Sequence, residues 1–120
     1  MSNNRRIQKV TSLLKKEITM ILMNDVKDSL IVENFVSISK IDLSSDLQYC
    51  KIYISSAGEE ETKDQIINNL NFEKSSIRYF LSKRVQMRRI PEIIFKKDRL
   101  LDEGLSVLKL LNEIKNKSNE

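Results

Sequence analysis

Residues 48–55 read Gln-Tyr-Cys-Lys-Ile-Tyr-Ile-Ser, and their alternation decides the architecture. Cys50, Ile52 and Ile54 fall on one side of an extended chain, with Tyr49, Lys51 and Tyr53 on the other, because successive side chains of a strand point to opposite faces. This is a strand with one buried side and one side exposed or covered by a helix. Ser44-Ser45-Asp46 before it has turn composition. Residues 35–39, Phe-Val-Ser-Ile-Ser, alternate as well and are rich in strand formers. Val36 and Ile38 share one face, but Ile41 and Leu43 continue on the opposite parity, so a bulge near Ser39-Lys40 must reconcile the halves. Two strands joined by so short a polar link predict an antiparallel pair.

Outward from this pair the period changes to that of a helix. On the N-terminal side Ile7, Val10, Leu14, Ile18, Ile21 and Leu22 recur at three- and four-residue steps, the mark of an amphipathic helix of about five turns. Its other faces carry Arg5, Arg6, Lys9, Lys15 and Lys16. Asn24-Asp25 interrupts it, and residues 26–29 read as a turn or a fraying end. On the C-terminal side, residues 56–61 break the strand and load acid onto a helix N-terminus, where the macrodipole favours it. Ile66, Ile67 and Leu70 carry that helix to about Phe72. Glu73-Lys74-Ser75-Ser76 predicts a kink, since adjacent serines compete for backbone hydrogen bonds. Pro91 biases Ile90 to an extended conformation, and Glu92-Ile-Ile-Phe-Lys makes a third strand. Leu101, Leu105, Leu108 and Leu111 outline a last helix. The order α-β-β-α(kinked)-β-α favours an α+β fold, a three-stranded sheet with helices packed on one face. One domain spans residues 5–114, with residues 1–4 and 115–120 as tails.

Charge is segregated along the chain. Residues 1–23 sum to +4, residues 24–73 to −6, residues 74–91 to +6, and the remainder to zero. The stretch 74–89 holds Lys74, Arg78, Lys83, Arg84, Arg88 and Arg89 without one acidic side chain, exceeding by itself the net +4 of the whole molecule. Ile77, Phe80, Leu81 and Val85 sit at helical spacing in the same run. The expected element is a helix docked by one face on the core and presenting basic side chains outward. Arg84 breaks that pattern by falling within the apolar stripe, so either its guanidinium snorkels out along its stem or the helix ends there. A clustered basic surface suits a polyanion, whose condensed counterions are released on binding. Lys74, Arg78, Lys83, Arg84, Arg88 and Arg89, with Arg5, Arg6 and Lys9 of the first helix, are the expected phosphate contacts. Tyr79 is a candidate for base stacking, although an exposed aromatic or core edge is the stronger expectation. Helix-covered packing is stronger still for Tyr49 and Tyr53.

Other chemistries are bounded tightly. With no His and one Cys among 120 residues, neither the usual zinc ligand sets nor a His-dependent nucleophile can be assembled. Cys50, in an alternating apolar run, reads as a buried inert thiol. Gly58 and Gly104 lie too far apart for a phosphate-cradling loop. Carboxylates such as Asp46 and Asp98 are all an enzyme would have, so no catalytic residue, metal, cofactor or small-molecule substrate is expected. No apolar run approaches a membrane span, and the polar N-terminus has no leader character, which predicts a cytoplasmic protein. A second reading stands beside RNA binding: a homodimeric or protein-interaction regulatory module whose basic patch meets an acidic partner, pairing through strand edge 35–39 or 92–97.

The residues also resemble a known family, the bacterial ribosome-binding factor A proteins, from Arg5 to Ile114. Ser44-Ser-Asp46-Leu47-Gln-Tyr-Cys50-Lys51-Ile52-Tyr53-Ile54 is similar to its Ser-x-Asp-Leu-x-x-Ala-Lys-Val-Tyr-Val motif. Lys83-Arg84-Val85-Gln-Met87-Arg88-Arg-Ile-Pro91-Glu92-Ile93-Ile-Phe95 is similar to its Lys-x-Leu-x-Leu-Arg-x-x-Pro-Glu-Leu-x-Phe. Lys16-Glu17-Ile18, Val26-Lys27-Asp28 and the spacing of Asp98 and Gly104 fit as well. The resemblance implies a type II KH-like fold and a monomeric, non-catalytic assembly factor. It would bind the small (30S) ribosomal subunit and its 16S rRNA during late processing and maturation. Where the family's helix junction usually reads Ala-x-Gly, this chain has Glu73-Lys74-Ser75, a departure that puts an acidic group where a small residue is usual.

Overall fold

A computed structural model describes residues 2–98. Helix α1 (Ser2–Asn24) is followed by a short α2 (Ser29–Glu33), then β1 (Ser37–Leu43), β2 (Tyr49–Ser55), α3 (Glu60–Phe72), α4 (Lys74–Arg84) and β3 (Glu92–Lys97). The leucine-spaced last helix expected over residues 101–111, the 115–120 tail and the Asp98–Gly104 spacing fall wholly or partly outside the described residues. Helix α1 already begins at Ser2, inside the stretch expected as an N-terminal tail.

The strand order is β1-β2-β3. β1 and β2 pair antiparallel, with a register shift between Ile38 and Lys40 where the change of parity required it. β2 and β3 run parallel, placing Tyr49 beside Glu92 and Ile52 beside Phe95. A parallel pair needs a crossover, and α3 and α4 together supply it. One sheet face buries Ile38, Ile41, Leu43, Cys50, Ile52, Ile54, Ile93 and Phe95, and the helices cover it with Leu14, Ile18, Ile21, Ile66, Leu70, Ile77 and Leu81. Each large aliphatic side chain so buried contributes roughly 1.5–3 kcal/mol relative to exposure. The expected layering, helices on one face of a three-stranded sheet, is the observed one.

Three details differ from expectation. Residues 35 and 36 lie outside β1: Phe35 turns the corner at φ 51° and is 82% exposed. Helix α2 was not foreseen, because five residues are too few to show a helical period. Its one signal is Asp28, whose Oδ1 accepts from Leu30 N–H at 3.0 Å as an N-cap. The other oxygen of Asp28 accepts from Asn69 Nδ2 at 3.1 Å, tying α2 to α3. Finally, Tyr49 is 57% exposed rather than helix-covered, since the helices occupy the opposite sheet face.

The kink falls where the residues 73–76 place it. Glu73 is at once the last cap of α3 and the first of α4, with φ −93° and ψ 6°. Asn71, in the last turn of α3, clamps the free edge of β3: Phe95 N–H donates to Asn71 Oδ1 at 2.8 Å, and Asn71 Nδ2 donates to Phe95 O at 3.0 Å. An edge strand leaves such groups unpaired, and here one amide side chain stands in for the missing neighbour strand. Strand edge 92–97 is thereby closed at Phe95 to pairing with another chain.

Candidate nucleic-acid interface

The basic helix is shorter than its charge run. α4 stops at Arg84, and Val85 turns to φ −118°, ψ 146° and buries its side chain. Arg88 and Arg89 therefore stand on the loop between α4 and β3. Pro91 is buried at the end of that loop, and Arg78 Nη2 donates to the Ile90 carbonyl at 3.0 Å, tying the loop back to α4. Arg78 is half-buried in consequence, and its Nε is enclosed with no hydrogen-bond partner.

This loop faces the start of α1 and the turn between β1 and β2. A cleft of about 380 Å³ lies between them, where Arg6, Arg88 and Arg89 converge over Val10, Leu47 and Met87. All three arginines are exposed. The ion pairs among the described residues engage Arg84 and Lys97, so none of these three guanidinium groups has a carboxylate partner there. A separate hollow on another face of α1 is lined by Arg5, Lys9, Gln8 and Ser12. On the other side Arg89 and Arg78 line a third concavity with Gln48, Tyr49, Ile90 and Glu92. Six of the nine expected residues, Arg5, Arg6, Lys9, Arg78, Arg88 and Arg89, thus border hollows on α1, α4 and the α4–β3 loop.

The other three stand apart. Arg84 reaches α1, with Nη1 at 3.4 Å from Glu17 Oε2 and Nη2 at 3.6 Å from Asp25 Oδ2. That resolves its odd place in the apolar stripe: the helix ends there, and the guanidinium bridges Glu17 of α1 and Asp25 in the turn just after it. Lys83 lies over the Tyr79 ring, its Nζ 5.4 Å from the centroid, and Tyr79 meets Phe80 edge-on at 5.7 Å. Tyr79 is exposed, and its ring is flanked by Phe80 and Lys83. Lys74 is exposed at the kink and lines none of these hollows.

The opposite wall of the cleft is a rigid turn. The Ser44 hydroxyl donates to Asp46 Oδ1 at 2.6 Å and accepts from the N–H groups of Gln48 and Tyr49 at 3.2 and 3.0 Å. Asp46 Oδ1 also accepts from Gln48 N–H at 3.1 Å, and Leu47 adopts a left-handed φ of 61° between them. The Ser44 hydroxyl, and next the Gln48 N–H, hold the Asp46 carboxyl below its usual range. Asp46 therefore stays ionised and sets one negative group against three arginines. Sequence reasoning passed over Gln48 and Tyr49 as wall residues. Their only signal was the unburied side of an alternating strand, and only the sheet register puts them beside Arg89 and Glu92. Among the described residues, no His, Cys, Asp and Glu side chains gather as a metal site, and no helix is long and apolar enough to cross a membrane.

Comparison with known proteins places this geometry. The family model for Ribosome-binding factor A matches residues 6–111. The chain belongs to that family. A relative of the same name from Prochlorococcus marinus (strain AS9601) is 64% identical over 118 residues, covering 98% of this chain and 91% of its own. The crystal structure of ribosome-binding factor A from Thermus thermophilus superposes with a TM-score of 0.67 at 22% identity, over 77% of this chain and 94% of that one. A Thermus thermophilus ribosome-binding factor A homology model, fitted into a cryo-EM map of a 30S complex, gives a TM-score of 0.62 at 23% identity, over 76% and 93%. The family's KH-like fold is the α+β arrangement described above, with its mixed three-stranded sheet.

Proposed function

We propose that this protein is a cytoplasmic, non-catalytic assembly factor. It binds the small (30S) ribosomal subunit through 16S rRNA during late processing and maturation. Family membership supports this, as does the Thermus thermophilus relative fitted into a 30S complex. The observation that carries the contact surface is the convergence of Arg6, Arg88 and Arg89 from segments distant in sequence, without carboxylate partners among the described residues. Arg5 and Lys9 extend the surface along α1, and Arg78 borders it while bracing the loop. Lys74 and Lys83, near the two ends of α4, add to the field rather than to the cleft. Phosphate contacts of this kind position a protein on RNA, and each one adds to the salt dependence of binding.

Co-sedimentation with purified small subunits over a series of salt concentrations tests the proposal. The native protein binds with an affinity that falls steeply with salt. Arg88→Gln together with Arg89→Gln reduces the log–log slope by roughly 0.7–0.9 for each phosphate contact removed. Arg84→Gln leaves that slope unchanged, because its charge is held by Glu17 and Asp25. Affinity indifferent to salt, or an Arg84 variant as deficient as the double loop variant, overturns the assignment.

A further inference from the structure

Beside the arginine cleft lies a hollow whose aromatic wall phosphate binding leaves without a role. Gln48 and Arg89 line both, so the two are adjacent and share a wall. The second hollow, about 320 Å³, adds Tyr49, Arg78, Ile90 and Glu92. Resting on the RNA-binding reading above, we infer that Tyr49 is a stacking platform for one unpaired nucleobase, whose flanking phosphates lie on Arg89, Arg88 and Arg6.

The ring is carried on a backbone held from both sides. Tyr49 N–H donates to Ser44 Oγ at 3.0 Å, its carbonyl accepts from Ser44 N–H at 2.9 Å, and the Gln48 carbonyl accepts from Glu92 N–H at 2.8 Å. A platform fixed before the ligand arrives loses little freedom on binding. Tyr49 nevertheless keeps 57% of its surface exposed, at the first position of the central strand. Tyr79, the other widely exposed tyrosine, lies against Phe80 and Lys83 and lines neither hollow.

The polar groups around the Tyr49 ring are those of a base site. Glu92 is its direct neighbour across the parallel ladder. A carboxylate there repels a phosphate but accepts a hydrogen bond from the amino group of adenine, cytosine or guanine. The Gln48 amide, on the same wall, can both donate and accept. Uracil offers the carboxylate only an imide N–H set between two carbonyl oxygens that repel it, so the hollow disfavours uracil. A duplex cannot use the ring, because its bases are already stacked; a splayed base in a single-stranded segment can. Base–aromatic stacking beside an arginine groove is how single strands are held with strong dependence on salt.

The test uses the full chain, fluorescence anisotropy, and a short single-stranded RNA of adenine and cytosine. The same strand annealed to its complement and a uracil-only strand serve as comparisons. Tyr49→Ala weakens the single-strand complex about ten-fold or more, Tyr49→Phe stays near the native affinity, and the duplex is bound equally by all three proteins. The salt slope of Tyr49→Ala matches that of the native protein, since no phosphate contact has been removed. Glu92→Gln narrows the preference for the adenine–cytosine strand over the uracil strand. Tyr49→Ala binding within two-fold of native, or Phe as weak as Ala, overturns the inference. If those variants also co-sediment normally with small subunits, the RNA-binding reading survives while the Tyr49 platform falls. If the native protein ignores small subunits at low salt, both fall.

Discussion

Asn71 offers the sharpest test of how this sheet is closed. Its side chain makes two hydrogen bonds to Phe95, at 2.8 and 3.0 Å, on the strand edge that no other strand among the described residues covers. Both bonds are partly buried, and Phe95 itself is 1% exposed. A net hydrogen bond is worth about 1 kcal/mol, and orphaning a half-buried N–H and C=O adds part of their desolvation cost, so Asn71→Ala costs about 2–3 kcal/mol. For a chain of 120 residues, unfolding entropy near 2.1 cal/mol/K per residue gives about 0.25 kcal/mol/K at the midpoint, and the loss appears as a fall of about 8–12 °C in Tm. Asn71→Leu keeps most of the volume but neither bond, and melts as low as Asn71→Ala. Hydrogen exchange supplies the local readout: the Phe95 amide loses protection in both variants. The Ile52 and Ile54 amides, on the central strand, keep more of theirs. Should Asn71→Leu melt within about 2 °C of the native protein, or the Phe95 amide stay protected, the clamp contributes nothing and the reasoning fails.

Two further outcomes follow from single positions. Burial, and after it the charge of Asp42, pushes the Cys50 thiol from its ordinary 9.0 up to about 12. The folded state thus holds its proton where the unfolded state releases it. The stabilising contribution is full below about pH 9 and is lost as the pH rises towards 12. Cys50→Ala should therefore flatten the alkaline decline of Tm, and the native thiol should stay unreactive to a disulfide reagent at neutral pH until denaturant unfolds the chain. Gly58 sits at φ +103°, and a Cβ there would lie 3.0 Å from Asn34 Oδ1 and 3.4 Å from Thr62 Cγ2. Gly58→Ala should lower stability by about 1–3 kcal/mol in urea unfolding, and an unchanged midpoint would show that the turn relaxes freely.

Much of the fold was legible because its signals are local. The alternation of residues 48–55, the shift of parity that became the bulge between Ile38 and Lys40, and the kink at Glu73 are written in neighbouring side chains. α2 and the early end of α4 were not legible. The first is too short to show a period. The second depends on Val85 finding a place in the core, and on Arg84 finding one carboxylate on α1 and another just beyond its end. The basic residues were all visible, yet nothing in the charge run distinguishes Arg84, held by Glu17 and Asp25, from Arg88 and Arg89, which have no such partners among the described residues.

Composition and period alone determined the α+β class, the absence of His-dependent chemistry, and the run of positive charge over residues 74–89, since these follow from residue types and their spacing along one chain. The tertiary structure alone decided which charges meet. Arg6 joins Arg88 and Arg89 because α1 packs against α4, and Tyr49 meets Glu92 because a helical crossover lays β3 parallel to β2. Proximity between segments far apart in sequence is set by packing and strand register, and neither has a signature within the segments themselves.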